Sequence, residues 1–369
     1  MKYYIIAGEA SGDLHGSNLI KELKKIDASA SIRCWGGDLM QQAGGDLVKH
    51  YRDLAFMGFV EVVSNLKIIF ANLRFCKEDI LQFKPDALIL IDYPGFNLRI
   101  AKWAKKQNLR IIFYISPQVW AWKENRVKMM KECIDKMLVI LPFEKEYYKN
   151  KWNWEVEYVG HPLVEVIDQF KVESLKLKTQ ENLPTIALLP GSRKQEIAKK
   201  LPIMLEAVQS FPDYQFVIAQ APSLDESFYK TFTDPYPNVS SVKNKTYDLL
   251  MKSKAALVTS GTATLETALF GVPEVVCYKG SPISYQIAKR LIKVKYISLV
   301  NLIMDKLVVH ELIQNDLTPV NLVKELQQLL TDPVRINELK KDYADLKRLL
   351  SEGGNASAKA AKSIVGFLN

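Results

Sequence analysis

The sequence predicts an α/β protein of two doubly wound domains, on three observations. Short all-apolar runs alternate with helix-length segments, the pattern of βαβ units and a parallel sheet. The alternation stops at a polar stretch, Asp168–Pro184, and restarts after it. The 369 residues also exceed one ordinary domain of roughly 100–200 residues.

In chain order, Tyr3–Ala7 is uniformly apolar and reads as a buried parallel strand. It runs into a glycine loop, Gly8–Gly16, and then a helix carrying Leu19, Ile20 and Leu23. Further strands are expected at Ala87–Ile91, Arg110–Ile115, Met137–Leu141 and Val156–Val159. The second half opens with a strand at Thr185–Leu189, the turn Pro190–Arg193 and a helix to about residue 211. Strands at Phe216–Ala219, Ala256–Thr259 and Pro273–Cys277 follow. From Pro333 to Asn369 the pattern is helical, with Leu339, Leu346, Leu349 and Leu350 on it, and these last helices are expected to return to the first domain. The expected division is 1–168, 169–340 and 341–369. Ligands of open parallel sheets bind at the carboxyl ends of the strands, so two facing domains place a cleft between two such edges.

Composition narrows the class. At 48% hydrophobic and 25% charged, the chain is an ordinary folded one. Its longest charge-free stretch, Ile111–Trp122, is too short for the roughly 20 residues of a membrane-spanning helix. The start MKYYIIAGEASGD reads as a strand and not as a signal peptide. Cys34, Cys76, Cys133 and Cys277 lie far apart, which suits reduced thiols in a cytoplasm and argues against a structural zinc site. The net charge of +9 is concentrated in two acid-free segments: Tyr93–Lys123 holds six bases and Val275–Met304 five. Such focusing points to an anionic partner, and no nucleic-acid motif accompanies it.

Three loops lie where a strand hands over to a helix. Gly8–Gly16, with Gly8, Ser11, Gly12 and Asp13, has neither the dinucleotide GxGxxG spacing nor a Walker A lysine. It would let a ligand approach the backbone, with Asp13 or His15 toward the cleft, or it is a tight turn that simply needs glycine. Gly191, Ser192 and Arg193 begin a helix, where free N–H groups and a guanidinium make an anion site. Ser260, Gly261, Thr262 and Thr264 open another helix, with Glu266 one turn in and suited to a ribose diol. A hydroxyl N-cap with a first-turn acid also explains that pattern. Two such loops at strand ends of one domain together suggest a nucleotide-diphosphate site.

Nine segments then make the chain recognisable: GEASGD (8–13), MGFVEV (57–62), IDYPGFN (91–97), SPQVWAW (116–122), LPFE (141–144), VGHP (159–162), LPGSR (189–193), SGTATLE (260–266) and YISLVNL (296–302). In this order the chain closely resembles the lipid-A-disaccharide synthase family, inverting glycosyltransferases with two Rossmann-like domains, the GT-B architecture. The resemblance runs from Ile5 to about Leu317. It implies transfer of a 2,3-diacylglucosamine unit from its UDP derivative to 2,3-diacylglucosamine 1-phosphate. The products would be a β-1,6-linked disaccharide 1-phosphate and UDP.

By the same resemblance Asp92 occupies the candidate base position, with His15 as the second candidate. Arg193 would neutralise the leaving UDP, Glu266 would hold the ribose, and Asn301 would lie near nucleotide and sugar. Some relatives carry a second carboxylate where this chain has Gly95, so any role for that acid is absent here. An inverting transfer needs a base and stabilisation of the departing diphosphate. No DxD motif or His/Asp cluster is present in the sequence, so neither a metal nor another cofactor is expected.

The acyl chains of both substrates imply a membrane surface. The apolar stretch through Phe56, Met57, Phe59, Val60, Ile69 and Phe70, with Trp103, Arg99 and Lys102, is the candidate contact, or else a core helix. The expected place is therefore the cytoplasmic face of the inner membrane, peripherally bound, with an oligomer possible. Competing readings are a UDP-N-acetylglucosamine 2-epimerase, a non-catalytic nucleotide-sugar or lipid binder and, against the missing GxGxxG, a dinucleotide oxidoreductase.

Overall fold

The computed structural model describes residues 1–54, 66–174, 183–281, 285 and 294–369. The chain divides into two compact units, Met1–Pro162 with Leu350–Asn369, and Leu163–Leu349.

The first unit is built on a parallel sheet, seven-stranded among the described residues. Its strands are β1 (Lys2–Ala7), β2 (Ser31–Gly36), β3 (Asp46–His50), β4 (Ala87–Ile91), β5 (Ile111–Tyr114), β6 (Lys136–Val139) and β7 (Glu157–Tyr158), ordered β3-β2-β1-β4-β5-β6-β7. The inner strands are apolar on both faces because helices cover both: Tyr3 through Ala7 and Ala87 through Ile91 are buried throughout. Tyr3 lies opposite Ala87 and Ala7 opposite Ile91. Chain order reverses between β1 and β4, so their carboxyl ends flank a switch point.

The second unit repeats this winding. Its strands are β8 (Thr185–Leu189), β9 (Gln215–Gln220), β10 (Val239–Lys243), β11 (Ser253–Thr259), β12 (Glu274–Tyr278) and β13 (His310–Ile313), ordered β10-β9-β8-β11-β12-β13, all parallel. Here the switch point lies between β8 and β11.

The expected fold class, two Rossmann-like α/β sheets, is the one observed. Four strands were not legible in the sequence: β2, β3, β10 and β13. Three of them are edge strands with polar residues, such as VSSVK at β10, and need only one apolar flank. β2 contains Arg33, whose guanidinium forks onto Asp79 at 2.8–3.2 Å while Tyr4 donates to the same carboxylate at 2.6 Å. That pairing lets a charge sit in an inner strand.

The glycine loop is shorter than expected. Helix Ala10–Ile26 begins inside it, so Gly12 and Gly16 are helical residues. A Cβ on Gly12 would lie 3.1 Å from that of Ala7, and one on Gly16 2.6 Å from the Met40 sulfur. These glycines allow close packing of the helix, not approach of a ligand.

Helix Pro162–Ser174 groups with the second unit from Leu163 onward, six residues before the expected division at 168, and Lys347 pairs there with Asp168 at 2.6 Å. Helix Pro333–Ser351 stays in the second unit to Leu349, so the return to the first unit begins at Leu350 and not at 341. The last helix, Ala356–Leu368, packs on helix Ala10–Ile26. Ser363 fastens it to Glu157 at 2.5 Å, and Arg110 to the Leu368 carbonyl at 2.8 Å.

Candidate active site

In the first unit the carboxyl end of β4 turns sharply. Asp92 and Tyr93 both take left-handed backbone, φ 43° and 48°, before helix Pro94–Lys105 starts. Each such residue costs on the order of 1–2 kcal/mol. Asn97 holds the turn from beneath, its amide donating to the carbonyls of Ile91 at 3.1 Å, Asp92 at 2.8 Å and Ile6 at 3.4 Å. The strands on either side of the switch point are thereby tied together.

Asp92 is half-buried there, and burial pushes its carboxyl up to about 6, with the negative charge of Glu9 adding to the rise. A carboxylate with that affinity is ionised at neutral pH yet a better proton acceptor than a solvated aspartate. Glu9 precedes helix Ala10–Ile26, is exposed and was not singled out from the sequence although it lies within GEASGD. Ser11 is exposed on the first turn beside it.

Asp13 does not face a ligand as expected. Asp13 is buried, and its carboxylate accepts the N–H groups of Gly37 at 2.7 Å, Met40 at 3.0 Å and Leu39 at 3.2 Å, which fixes the start of helix Asp38–Gln42. His15 is buried, and burial lowers its imidazole to about 4. A ring that binds its proton so weakly is a poor general base, which leaves Asp92 as the candidate.

Behind β5 and β6 lies a buried acid that sequence reasoning passed over. Glu144, in LPFE, accepts the Leu141 N–H at 3.1 Å and the Trp120 indole N–H at 3.2 Å. Burial raises it to about 8, with a small further rise from Asp92. Trp120 is thus a buried structural residue and not a surface one, whereas Trp122 is 54% exposed.

In the second unit a cavity of about 470 Å³ opens where β8 and β11 end. Gly191, Ser192 and Arg193 line one side, Ser260, Gly261, Thr262 and Glu266 the other, and Gln220, Pro222 and Thr246 complete it. Gly191 at φ 127° and Gly261 at φ 144° take backbone that other residues rarely adopt. No side chain caps helix Lys194–Val208 or helix Thr262–Phe270 at its start. Both helices therefore aim first-turn N–H groups and positive dipole ends at the cavity rim, which suits a diphosphate.

The side chains meet their expected roles unevenly. Glu266 lines the cavity and accepts the Tyr247 hydroxyl at 2.9 Å, while burial holds its carboxyl above the usual range. Arg193 is 65% exposed and paired to Glu196 at 2.9 Å, so one guanidinium nitrogen is engaged by an acid that the sequence reading did not consider. Ser260 donates to the Ile297 carbonyl at 2.8 Å and lines the cavity. Thr264 is fully buried and folds its hydroxyl back onto the Gly261 carbonyl at 2.8 Å, which makes it a turn residue and not a ligand. Asn301 departs further from expectation. Its amide donates to Val309 and Glu311 and accepts from the N–H groups of Val308 and Val309, all at 2.8–2.9 Å. Both donors and both lone pairs are spent inside the unit, so Asn301 clamps a loop and has nothing left for a nucleotide.

Of the lipid-contact candidates, Phe56, Met57, Phe59 and Val60 lie outside the described residues. Phe70, Arg99 and Trp103 come together in a groove of about 620 Å³ along helix Leu66–Phe83, with Leu73, Arg74, Lys77 and Leu81. Phe70 is 61% exposed there, and Lys77 lies 5.7 Å from the Trp103 ring. Ile69 instead packs against the core, and Lys102 is exposed without lining the groove. Among the described residues no helix is long and apolar enough to cross a membrane, and no His, Cys, Asp and Glu side chains gather as a metal site.

Comparison with known proteins places this geometry in context. The family model described as lipid-A-disaccharide synthetase matches residues 3–365. A lipid-A-disaccharide synthase of Syntrophus aciditrophicus is 40% identical, covering 98% of this chain and 96% of its own. One of Geobacter metallireducens is 38% identical over 95% and 93%. Among solved structures, UDP-GlcNAc 2-epimerase from Neisseria meningitidis bound to UDP-GlcNAc superposes with a TM-score of 0.68 at 16% identity, covering 100% and 99%. The calicheamicin glycosyltransferase CalG4 gives 0.61 at 15%, covering 100% and 98%. At these identities the two structures speak for the fold alone.

Proposed function

The chain belongs to the lipid-A-disaccharide synthase family, and from that premise we propose how its residues divide the work. The protein is a glycosyltransferase of lipid A disaccharide synthesis, taking a UDP-sugar donor and a phosphorylated sugar acceptor. We take the donor as UDP-2,3-diacylglucosamine and the acceptor as 2,3-diacylglucosamine 1-phosphate. The observation that carries the assignment of residues is the meeting of LPGSR and SGTATLE around one cavity at the β8/β11 switch point.

In this reading UDP occupies that cavity, its diphosphate against the starts of helices Lys194–Val208 and Thr262–Phe270, its ribose on Glu266. Asp92 takes the proton of the acceptor 6-hydroxyl as that oxygen attacks the anomeric carbon. The glycosidic C–O bond to the diphosphate breaks in the same displacement, and the configuration inverts. The electron pair leaves on UDP, where Arg193 and the helix dipoles offset the new charge. Acyl chains of the substrates lie along the groove at Phe70 and Trp103, with Arg99 and Lys77 facing anionic headgroups, and the enzyme binds the membrane surface peripherally.

The test is incubation with both lipid substrates and mass analysis of the product. Asp92→Ala should keep UDP affinity and lose transfer by at least about a hundredfold. Arg193→Ala should weaken donor binding as well as turnover. Turnover of Asp92→Ala within tenfold of the parent would reject the base assignment, and an unchanged donor affinity in Arg193→Ala would reject its phosphate role.

A further inference from the structure

Beneath the donor cavity sits a cation that the mechanism above does not use. Lys200 lies two turns into helix Lys194–Val208 with only 3% of its surface exposed. Its ammonium is directed to two places. It donates to the hydroxyl of Thr259, the last residue of β11, which itself lines the cavity. It also lies 3.5 Å from where a Cβ on Gly191 would stand, directly behind the LPGSR turn. One buried side chain thus reaches both loops that frame the site.

Burial of a lysine without a carboxylate in direct ion pair is expensive, and the desolvation holds Lys200 below its usual range. Glu196, one turn earlier, offsets part of this but is itself paired to Arg193. A protein does not ordinarily keep such a charge for packing, because a leucine or methionine would fill the space without the penalty. The chemistry of the pair suggests what it does. An ammonium has three donors and no acceptor, so the Thr259 oxygen must receive from Lys200, and its own proton is left to donate elsewhere. The Thr259 hydroxyl has no other hydrogen-bond partner among the described residues.

We propose that Lys200 is a positioning residue for the donor diphosphate: it fixes the Thr259 hydroxyl as a donor into the cavity and adds a positive charge behind the Gly191 turn. The proposal rests on reading the cavity as the UDP site. A bound diphosphate in turn restores the lysine's affinity for its proton, because an anion nearby favours the charged form.

Calorimetric titration of the full chain with UDP and with uridine tests it. Lys200→Met, of similar length, should weaken UDP binding about tenfold or more and leave uridine binding within twofold, since only the diphosphate meets the charge and the hydroxyl that it orients. Thr259→Val should show the same discrimination, Thr259→Ser should retain UDP affinity, and the double variant should lose no more than Lys200→Met alone. If Lys200→Met does not fold, the Thr259 pair carries the test. UDP affinity unchanged in these variants, or UDP and uridine weakened equally, overturns the proposal while the donor site stands. A wild type that binds no UDP overturns the donor site and this proposal together.

Discussion

The ring of Tyr93 lies so close over Gly8 that a Cβ on that glycine would stand 2.2 Å from the Tyr93 Cδ1 atom. Gly8 follows β1 and Tyr93 follows β4, so the contact closes the first switch point directly beside Asp92. Gly8→Ala must displace the ring and with it a turn already held in left-handed backbone. Turnover should fall at least about tenfold with UDP affinity unchanged, because the donor cavity belongs to the other unit. Full activity in the variant would mean that the Tyr93 position does not matter to Asp92.

The acid limb of the pH–rate profile should lie at about 6, since Asp92 must be deprotonated to act and burial raises it to that value. Activity is therefore present above about pH 6 and lost below it. Glu9→Gln removes a negative neighbour, so the limb should move to lower pH. A limb that stays in place in Glu9→Gln would show that another group sets it.

Glu144, also raised by burial, carries its shift into stability. Its folded carboxyl holds a proton to about pH 8, while the unfolded chain releases it near 4.5, the ordinary value of a glutamate. Between these values the native state binds more protons, so this group's contribution falls as pH rises through the window. Glu144→Gln cannot ionise, and its denaturant midpoint should gain on the wild type from about pH 5 to pH 8. A difference independent of pH would refute a neutral Glu144.

Asn301→Ala strands the N–H groups of Val308 and Val309, which the amide now satisfies at 2.8 and 2.9 Å. A loss of about 2–4 kcal/mol in chemical unfolding is expected. A stable variant with selectively weakened UDP binding would instead restore Asn301 as a ligand.

Phe70 gives the groove its most exposed aromatic. Phe70→Ser should reduce sedimentation with anionic vesicles severalfold and leave UDP affinity unaltered, and high salt should release both proteins by screening Arg99 and Lys77. Equal sedimentation of wild type and variant would remove this face from the membrane contact.

Much of the molecule was legible before folding because the signals are local. An apolar run such as Ala87–Ile91 reports burial on both faces, and a glycine–hydroxyl turn after a strand reports a helix start. Where the reading went astray, the side chain was already satisfied inside the protein, by a distant partner or by its own loop. Asp13 and Thr264 carry the right chemistry for a ligand, yet the first meets backbone N–H groups more than twenty residues away and the second turns back on its own loop. Asn301 meets β13, an edge strand too polar to be recognised.

The sequence by itself determined the double alternation, the loops at the strand ends and the family marks, since these depend on neighbours within a few residues. Only the tertiary structure decided which strand ends adjoin, β1 with β4 and β8 with β11. It also decided which polar groups are already satisfied and which charges are buried. Lys200 and Thr259 stand 59 positions apart, and nothing in either segment announces the other. Hydrogen-bond partners and desolvation belong to surroundings in space, and those surroundings exist only once the sheet has assembled.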